Sequence, residues 1–260
     1  MDQSMYSALF GALSNEMRLN LSVNNLANVN TTGYKRDRIA FEDVFLRMAH
    51  DYAPDARTSI REDKLLPDAI IVAKPRLAMQ STDFSQGALQ VTGNPLDVAI
   101  QGPGFFKVRS PEGDFYTRDG SFMRSPEGTL VTAQGFQVLG GGGPVDVPQG
   151  KEISIDAEGQ ISVDGAPVGV LDVVKVNNQD ALKKYGANLY QGMDGVAVQE
   201  AALDETETQV VQGYLEKPNV QVVEEMVSMI ETQRSFEAYQ KVMTTSHELD
   251  QKAVQNGKDK

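Results

Sequence analysis

Residues 219–254 read NVQVVEEMVSMIETQRSFEAYQKVMTTSHELDQKAV, and this stretch sets the plan of the whole 260-residue chain. It follows Pro218, and no proline or glycine interrupts it before Gly257. The pattern predicts a helix capped by Asn219, with Glu224 and Glu225 near its positive end and Lys252 towards its negative end. At 1.5 Å per residue such a helix runs roughly 50 Å, too long for a compact domain. Its apolar positions fall on two adjoining stripes. One carries Val222, Met226, Met229, Phe236 and Met243; the other carries Val223, Val227, Ile230, Ala238, Val242 and Leu249. One stripe suits a single neighbour, whereas two side by side suit burial by several. Between them, Glu231-Thr232-Gln233-Arg234-Ser235 is a polar break, either a solvated turn or a belt that fixes register between subunits.

The other end of the chain repeats the plan. Residues 2–28 read as a second long helix, with Met5, Leu9, Ala12, Leu19, Val23 and Leu26 on one stripe and Tyr6, Phe10, Leu13, Met17 and Leu21 on the next. Asparagines then cluster through Asn24-Asn25-Leu26-Ala27-Asn28-Val29-Asn30, and Thr31-Thr32-Gly33-Tyr34-Lys35 follows. Asn and Thr compete for backbone groups and end helices, and Gly33 suits a left-handed residue that folds Tyr34 back onto the last turn. A polar helix terminus is one reading; asparagines that hydrogen-bond between subunits is the other.

Between the two helices the texture changes. After a short helix expected around Phe41, Val44, Phe45 and Leu46 comes a connector punctuated by Pro54, Pro67 and Pro75. From about residue 81, short apolar runs alternate with glycine-containing turns: Leu89–Val91, Val98–Ile100, Phe105–Val108, Thr129–Thr132, Phe136–Leu139, Ile153–Ile155, Ile161–Val163 and Val168–Val176. That spacing is an all-β signature. The expected class is α+β, with long N- and C-terminal helices pairing as a coiled-coil-like helical domain around an intervening all-β domain. The boundaries are 1–35 together with 215–260 for the helical domain, 36–80 with 186–214 for a connecting region, and 81–185 for the β domain.

Charge and composition narrow the function. The net charge of −12 is concentrated in the middle, since residues 81–214 hold eight basic and eighteen acidic groups. An acidic body argues against nucleic acid as a partner. With no cysteine and only His50 and His247, material for a metal site is scarce. No run of 18 apolar residues is present, so membrane insertion is not expected, and Asp2 stands where a secretory signal would carry Lys or Arg. Gly140-Gly141-Gly142-Gly143 lacks the Lys and Ser/Thr of a phosphate loop and is followed by Pro144, so it reads as a hairpin turn. The scattered carboxylates read as a solvated β surface. No catalytic residue, cofactor site or small-molecule substrate is expected.

The segment Val23-Asn24-Asn25-Leu26-Ala27-Asn28-Val29-Asn30-Thr31-Thr32-Gly33-Tyr34-Lys35 resembles the N-terminal signature of the bacterial flagellar rod, hook and hook-associated proteins. Gln212-Gly213-Tyr214-Leu215-Glu216, Asn219-Val220, Glu225-Met226-Val227 and Gln233-Arg234-Ser235-Phe236-Glu237 resemble its C-terminal counterpart. Asp97–Phe106, Tyr116–Phe122 and Gly128–Thr132 resemble the central motifs of the rod proteins. Lys217-Pro218-Asn219 departs from the family's usual Ser-Asn. Met1-Asp2, Tyr6-Ser7-Ala8 and Asp83-Phe84-Ser85-Gln86-Gly87 look closer to the proximal-rod F type than to the distal-rod G type.

The resemblance implies a non-enzymatic structural subunit of the periplasmic rod. Its partners would be copies of itself and other rod proteins, and it would be exported by the flagellar type III apparatus. The implied subunit-packing residues are Leu9, Leu13, Leu19, Val23, Asn24, Asn25, Leu26, Asn28 and Gly33 near the start. Near the end they are Val223, Met226, Val227, Ile230, Arg234, Phe236 and Val242. The alternatives are a distal-rod subunit and, from another class, an oligomeric β-rich surface or carbohydrate-binding protein.

Overall fold

Two long helices flank a β-rich middle in the computed structural model, which describes residues 2–47, 71–150, 152–193, 195–201 and 207–258. Helix α1 spans Asp2–Ala27 and helix α2 spans Val222–Lys258. The chain divides into two compact units. One comprises Met1–Ser22, Arg38–Ser81 and Val227–Lys260; the other comprises Val23–Asp37 and Thr82–Met226.

The second unit is built on an antiparallel sheet. Its strands run in the order Leu182–Gly186, Leu189–Gly192, Gly113–Thr117, Phe105–Ser110, Gln137–Gly140, Leu130–Thr132 and Phe122–Arg124. Phe105–Ser110 is the central strand. Its first residues pair with Val173–Val176 and its last with Gln137–Gly140. Alternation drives its burial: Phe106 and Val108 enter the main apolar core with Val98, Ile100, Phe122, Leu130 and Val138. Phe105 turns instead to a smaller aromatic cluster with Tyr116 and Tyr190, where Phe84 meets it edge-on at 5.4 Å. A three-stranded sheet of Ile153–Ile155, Gln160–Val163 and Ala166–Val170 adds Ile155, Ile161 and Val163 to the main core. Two short ribbons, Val98–Gln101 with Gln209–Gln212 and Leu89–Val91 with Tyr214–Glu216, join the start of this body to its end. The glycine run forms a tight hairpin: Gly143 pairs with Gly140, and Gly141 and Gly142 between them both have positive φ, as a type I′ turn requires.

Four local expectations are corrected. The segment with Phe41, Val44, Phe45 and Leu46 is a strand, Asp37–Arg47, paired with Ile71–Thr82 rather than a short helix. Its apolar spacing fits either period over so few residues, and a pairing partner decides for the strand. Pro75 lies inside Ile71–Thr82, which a two-stranded sheet allows because each strand keeps an edge free. Val168–Val176 is two strands, Ala166–Val170 and Val173–Val176, which belong to different sheets. Helix α2 begins at Val222, its first turn closed by the Glu225 N–H donating to the Gln221 carbonyl, so Asn219 lies before the helix and is not its cap. His50, Pro54 and Pro67 lie outside the described residues.

Candidate functional site: the helix roots and the outward helix faces

The end of α1 and the start of α2 meet in a buried polar joint. Asn25, only 2% exposed, sits at its centre. Its Nδ2 donates to the Asp37 carbonyl at 3.1 Å and to the Glu225 carboxylate at 3.2 Å. Its Oδ1 accepts from the Tyr34 hydroxyl and the Asp37 N–H, both at 3.0 Å. The groups of Asn25 are thus engaged inside its own chain. Asn24 accepts from the Tyr34 hydroxyl at 2.8 Å, and Asn28 donates back to the Asn24 carbonyl at 2.9 Å. These asparagines finish their own helix.

Gly33 makes the turn that brings the next residues inward. Its φ of +66° and a space where a Cβ would stand 2.4 Å from the Asp119 backbone nitrogen both require glycine. Its N–H donates to the Glu216 carbonyl at 2.8 Å. Lys35 is thereby carried beneath the surface, where its Nζ lies 2.6 Å from Glu216 Oε1 with both side chains 1% exposed. The same Nζ donates to the Ser85 carbonyl at 2.7 Å. Glu216 Oε1 also accepts from the Gly87 N–H, and its Oε2 faces Arg118 Nη1 at 3.3 Å. Arg118 donates in turn to the Gly102 carbonyl at 2.8 Å and lies over the Phe105 ring. Burial pushes the Lys35 and Arg118 pKa values down, and the Glu216 charge works in the opposite direction on both.

A second layer surrounds this one. Lys184 pairs with Asp37 at 2.9 Å, donates to the Lys35 carbonyl and stands 4.1 Å from the Tyr34 ring centre. Burial lowers its pKa as well and raises those of Tyr34 and Tyr190. Asn219 works as a clamp: its Oδ1 accepts from the Arg36 N–H at 2.8 Å, and its Nδ2 donates to the Asp83 carbonyl at 2.8 Å and to Ser85. The sequence motifs quoted for the N-terminus, the middle and the C-terminus therefore converge on one place. The roles of Lys35, Arg118, Glu216 and Asn219 in it had no local signal, because each partner is remote in sequence.

The helices themselves are arranged differently. Helix α1 buries Ala8, Ala12, Asn15 and Ser22, and at Gly11 the Tyr239 ring of α2 lies so close that a Cβ would stand 2.5 Å from it. The bulky residues point away: Leu9, Phe10, Leu13, Met17 and Val23 are all exposed, and Leu19 and Leu26 are half-buried. Helix α2 matches this, with Val223, Met226, Val227, Ile230 and Val242 exposed and Phe236 half-buried. Val223 reaches 74% exposure. In the polar break Thr232 is buried, Arg234 is exposed, and the Ser235 hydroxyl donates to the Glu231 carbonyl. Among the described residues no cluster of acidic, His or Cys side chains is placed to hold a metal, and no helix is long and apolar enough to cross a membrane.

Two family profiles match the chain. "Flagellar hook protein FlgE/F/G D1 domain" covers residues 99–163, and "Flagellar basal body rod FlgEFG protein C-terminal" covers 211–256. The chain is 34% identical to the flagellar basal-body rod protein FlgG of Buchnera aphidicola from Schizaphis graminum, across 97% of this chain and 98% of that one. It is 34% identical to FlgF of Caulobacter vibrioides, over 98% of both chains, and 34% identical to FlgG of Bacillus subtilis, over 97% and 98%. With convergent signatures and full-length similarity at this level, the chain belongs to the flagellar basal-body rod protein family, whose members are structural proteins and not enzymes.

Proposed function

We propose that this chain is a subunit of the proximal part of the rod, of the F type, that polymerises through its terminal helices as part of the drive shaft for motility. The observation that carries the proposal is the inverted packing of α1 and α2, which bury small or polar residues and turn Leu9, Phe10, Leu13, Val227, Ile230 and Val242 outward. Contiguous apolar surface of this kind marks a protein interface. The partners are further copies of the chain and other rod proteins, whose helices cover these faces, while the acidic β-rich body stays outside. Subunits reach this site through the flagellar type III export apparatus. Of the packing set read from the sequence, the apolar residues of α1 and α2 together with Arg234 form the proposed interface, while Asn24, Asn25, Asn28 and Gly33 bond within the chain and hold the α1 root in shape. The F assignment draws on Met1-Asp2, Tyr6-Ser7-Ala8 and Asp83–Gly87; relatives of both the F and the G type reach 34% identity, which keeps the distal rod as the second reading. The similarity to rod proteins does not favour a carbohydrate-binding role. The test is complementation in the source bacterium: the gene should restore swimming to a strain lacking its F-type rod gene, and rescue of only a G-type deletion would move the protein to the distal rod.

A further inference from the structure

Lys35, Arg118 and Glu216 come from three remote stretches, and they are unequal partners. Arg118 belongs to the β-rich body and has two carbonyls of that body, Gly102 at 2.8 Å and Ile100 at 3.4 Å, as further acceptors, whereas Lys35 has one, the Ser85 carbonyl at 2.7 Å. Lys35 arrives on the segment that leaves α1, and Glu216 on the strand that leads to α2. Among the described residues Glu216 is the one carboxylate that pairs with both cations, and the positive charge of Arg118 acts against that of Lys35. Two buried cations facing each other without their anion are strongly unfavourable, whereas Glu216 without Lys35 still has Arg118 and the Gly87 N–H.

We infer that this triad is a one-way lock: the α1 root, residues 23–37, seats on the body only after the Tyr214–Glu216 strand has delivered its carboxylate, while the C-terminal strand seats without Lys35. Both helix roots are then engaged together or the N-terminal one is loose. Further contacts depend on the same seating, since Gly33 N–H uses the Glu216 carbonyl and Asn25 reaches Glu225. The device is a property of the single chain and does not rest on its place in the rod.

Hydrogen exchange of the full-length chain tests the asymmetry. Glu216→Gln should accelerate exchange across 23–37 by about tenfold or more, leaving Phe105–Ser110 and Gly113–Thr117 within about twofold. Lys35→Met should leave Tyr214–Glu216 within about threefold of its normal rate. Adding Lys35→Met to Glu216→Gln should recover much of the lost protection at 23–37, because one of the two facing cations is gone and Arg118 keeps its carbonyl acceptors. Should Glu216→Gln fail to fold, a folded double variant supports the lock and an unfolded one overturns it. Unchanged exchange at 23–37 in Glu216→Gln, uniform acceleration over the body, or a double variant no better protected than Glu216→Gln would each overturn it.

Discussion

Asn25 donates to the carboxylate of Glu225 at 3.2 Å although 200 positions separate them. The bond ties the last turn of α1 to the first turn of α2. Replacing Asn25 by Ala strands the Asp37 N–H and one acceptor of Glu225 in a buried site, so unfolding should become easier by about 1–3 kcal/mol. Asn24→Ala should cost less, because Asn24 is exposed and Tyr34 keeps Asn25 Oδ1 as an acceptor. Denaturant titration of the two variants side by side checks the ranking.

Gly33 and Gly141 both have positive φ, +66° and +59°, but only Gly33 has neighbours within reach of a Cβ. Gly33→Ala meets the Asp119 backbone as well as an unfavourable backbone conformation, and should destabilise by about 2 kcal/mol or more. Gly141→Asn has open space and a residue that tolerates the left-handed region, so its melting temperature should stay close to the parent's.

Leu13 and Ile230 are 44% and 51% exposed in the single chain. Leu13→Asp and Ile230→Asp should therefore lower monomer stability by no more than about 1 kcal/mol, yet abolish rod completion and swimming, because a buried unpaired carboxylate in an assembled interface costs several. Arg234→Ala separates the two readings of the polar break. Within the monomer its effect should stay near 0.5 kcal/mol, and impaired motility would assign Arg234 to a subunit contact. Normal motility would assign residues 231–235 to a wet face.

Alkaline unfolding follows from the buried tyrosines. Burial, aided by nearby carboxylates, raises the pKa values of Tyr34, Tyr116 and Tyr190 above the ordinary 10.0. The native state then keeps protons that the unfolded chain loses, so this contribution to stability is complete below about pH 10 and declines above it. Lys35 and Lys184 act oppositely: their lowered values make the unfolded chain the better proton binder up to the ordinary 10.5, so stability from them rises with pH across that window. Stability should turn downward beyond about pH 10.5, with the tyrosinate band of these residues appearing together with loss of β-sheet dichroism. The chain has no tryptophan, which leaves that band clear. Full tyrosinate absorbance in a still-folded protein would contradict the burial.

The parts legible in the sequence were those governed by local periodicity. Apolar 3–4 spacing, interrupted only at Glu16 and at residues 231–235, marked α1 and α2 close to their ends, and runs such as Phe105–Val108 and Ile161–Val163 marked real strands. Strands with polar or mixed composition, Gly113–Thr117 and Leu182–Gly186, passed unnoticed because charges and glycine dilute the alternation. The faces of α1 were legible in position but not in direction. Ala8, Ala12 and Asn15 face inward, while size alone would have put Leu9, Leu13 and Met17 there. Asn219 satisfied every local rule for a cap, yet its side chain is held by Arg36, Asp83 and Ser85, and no window of sequence contains those partners. Lys35 and Glu216 are hidden for the same reason, being ordinary surface residue types until a chain folds them 2.6 Å apart.

Leu89 faces Glu216 across the short ribbon where the β-rich body begins and ends. Everything between residues 92 and 213 is therefore a round trip that departs and returns through one doorway. The doorway measures neither the length nor the content of the journey. Residues can be added or removed on the far side, for instance at the Gly141-Gly142 turn, while the helix roots keep their registration at the doorway.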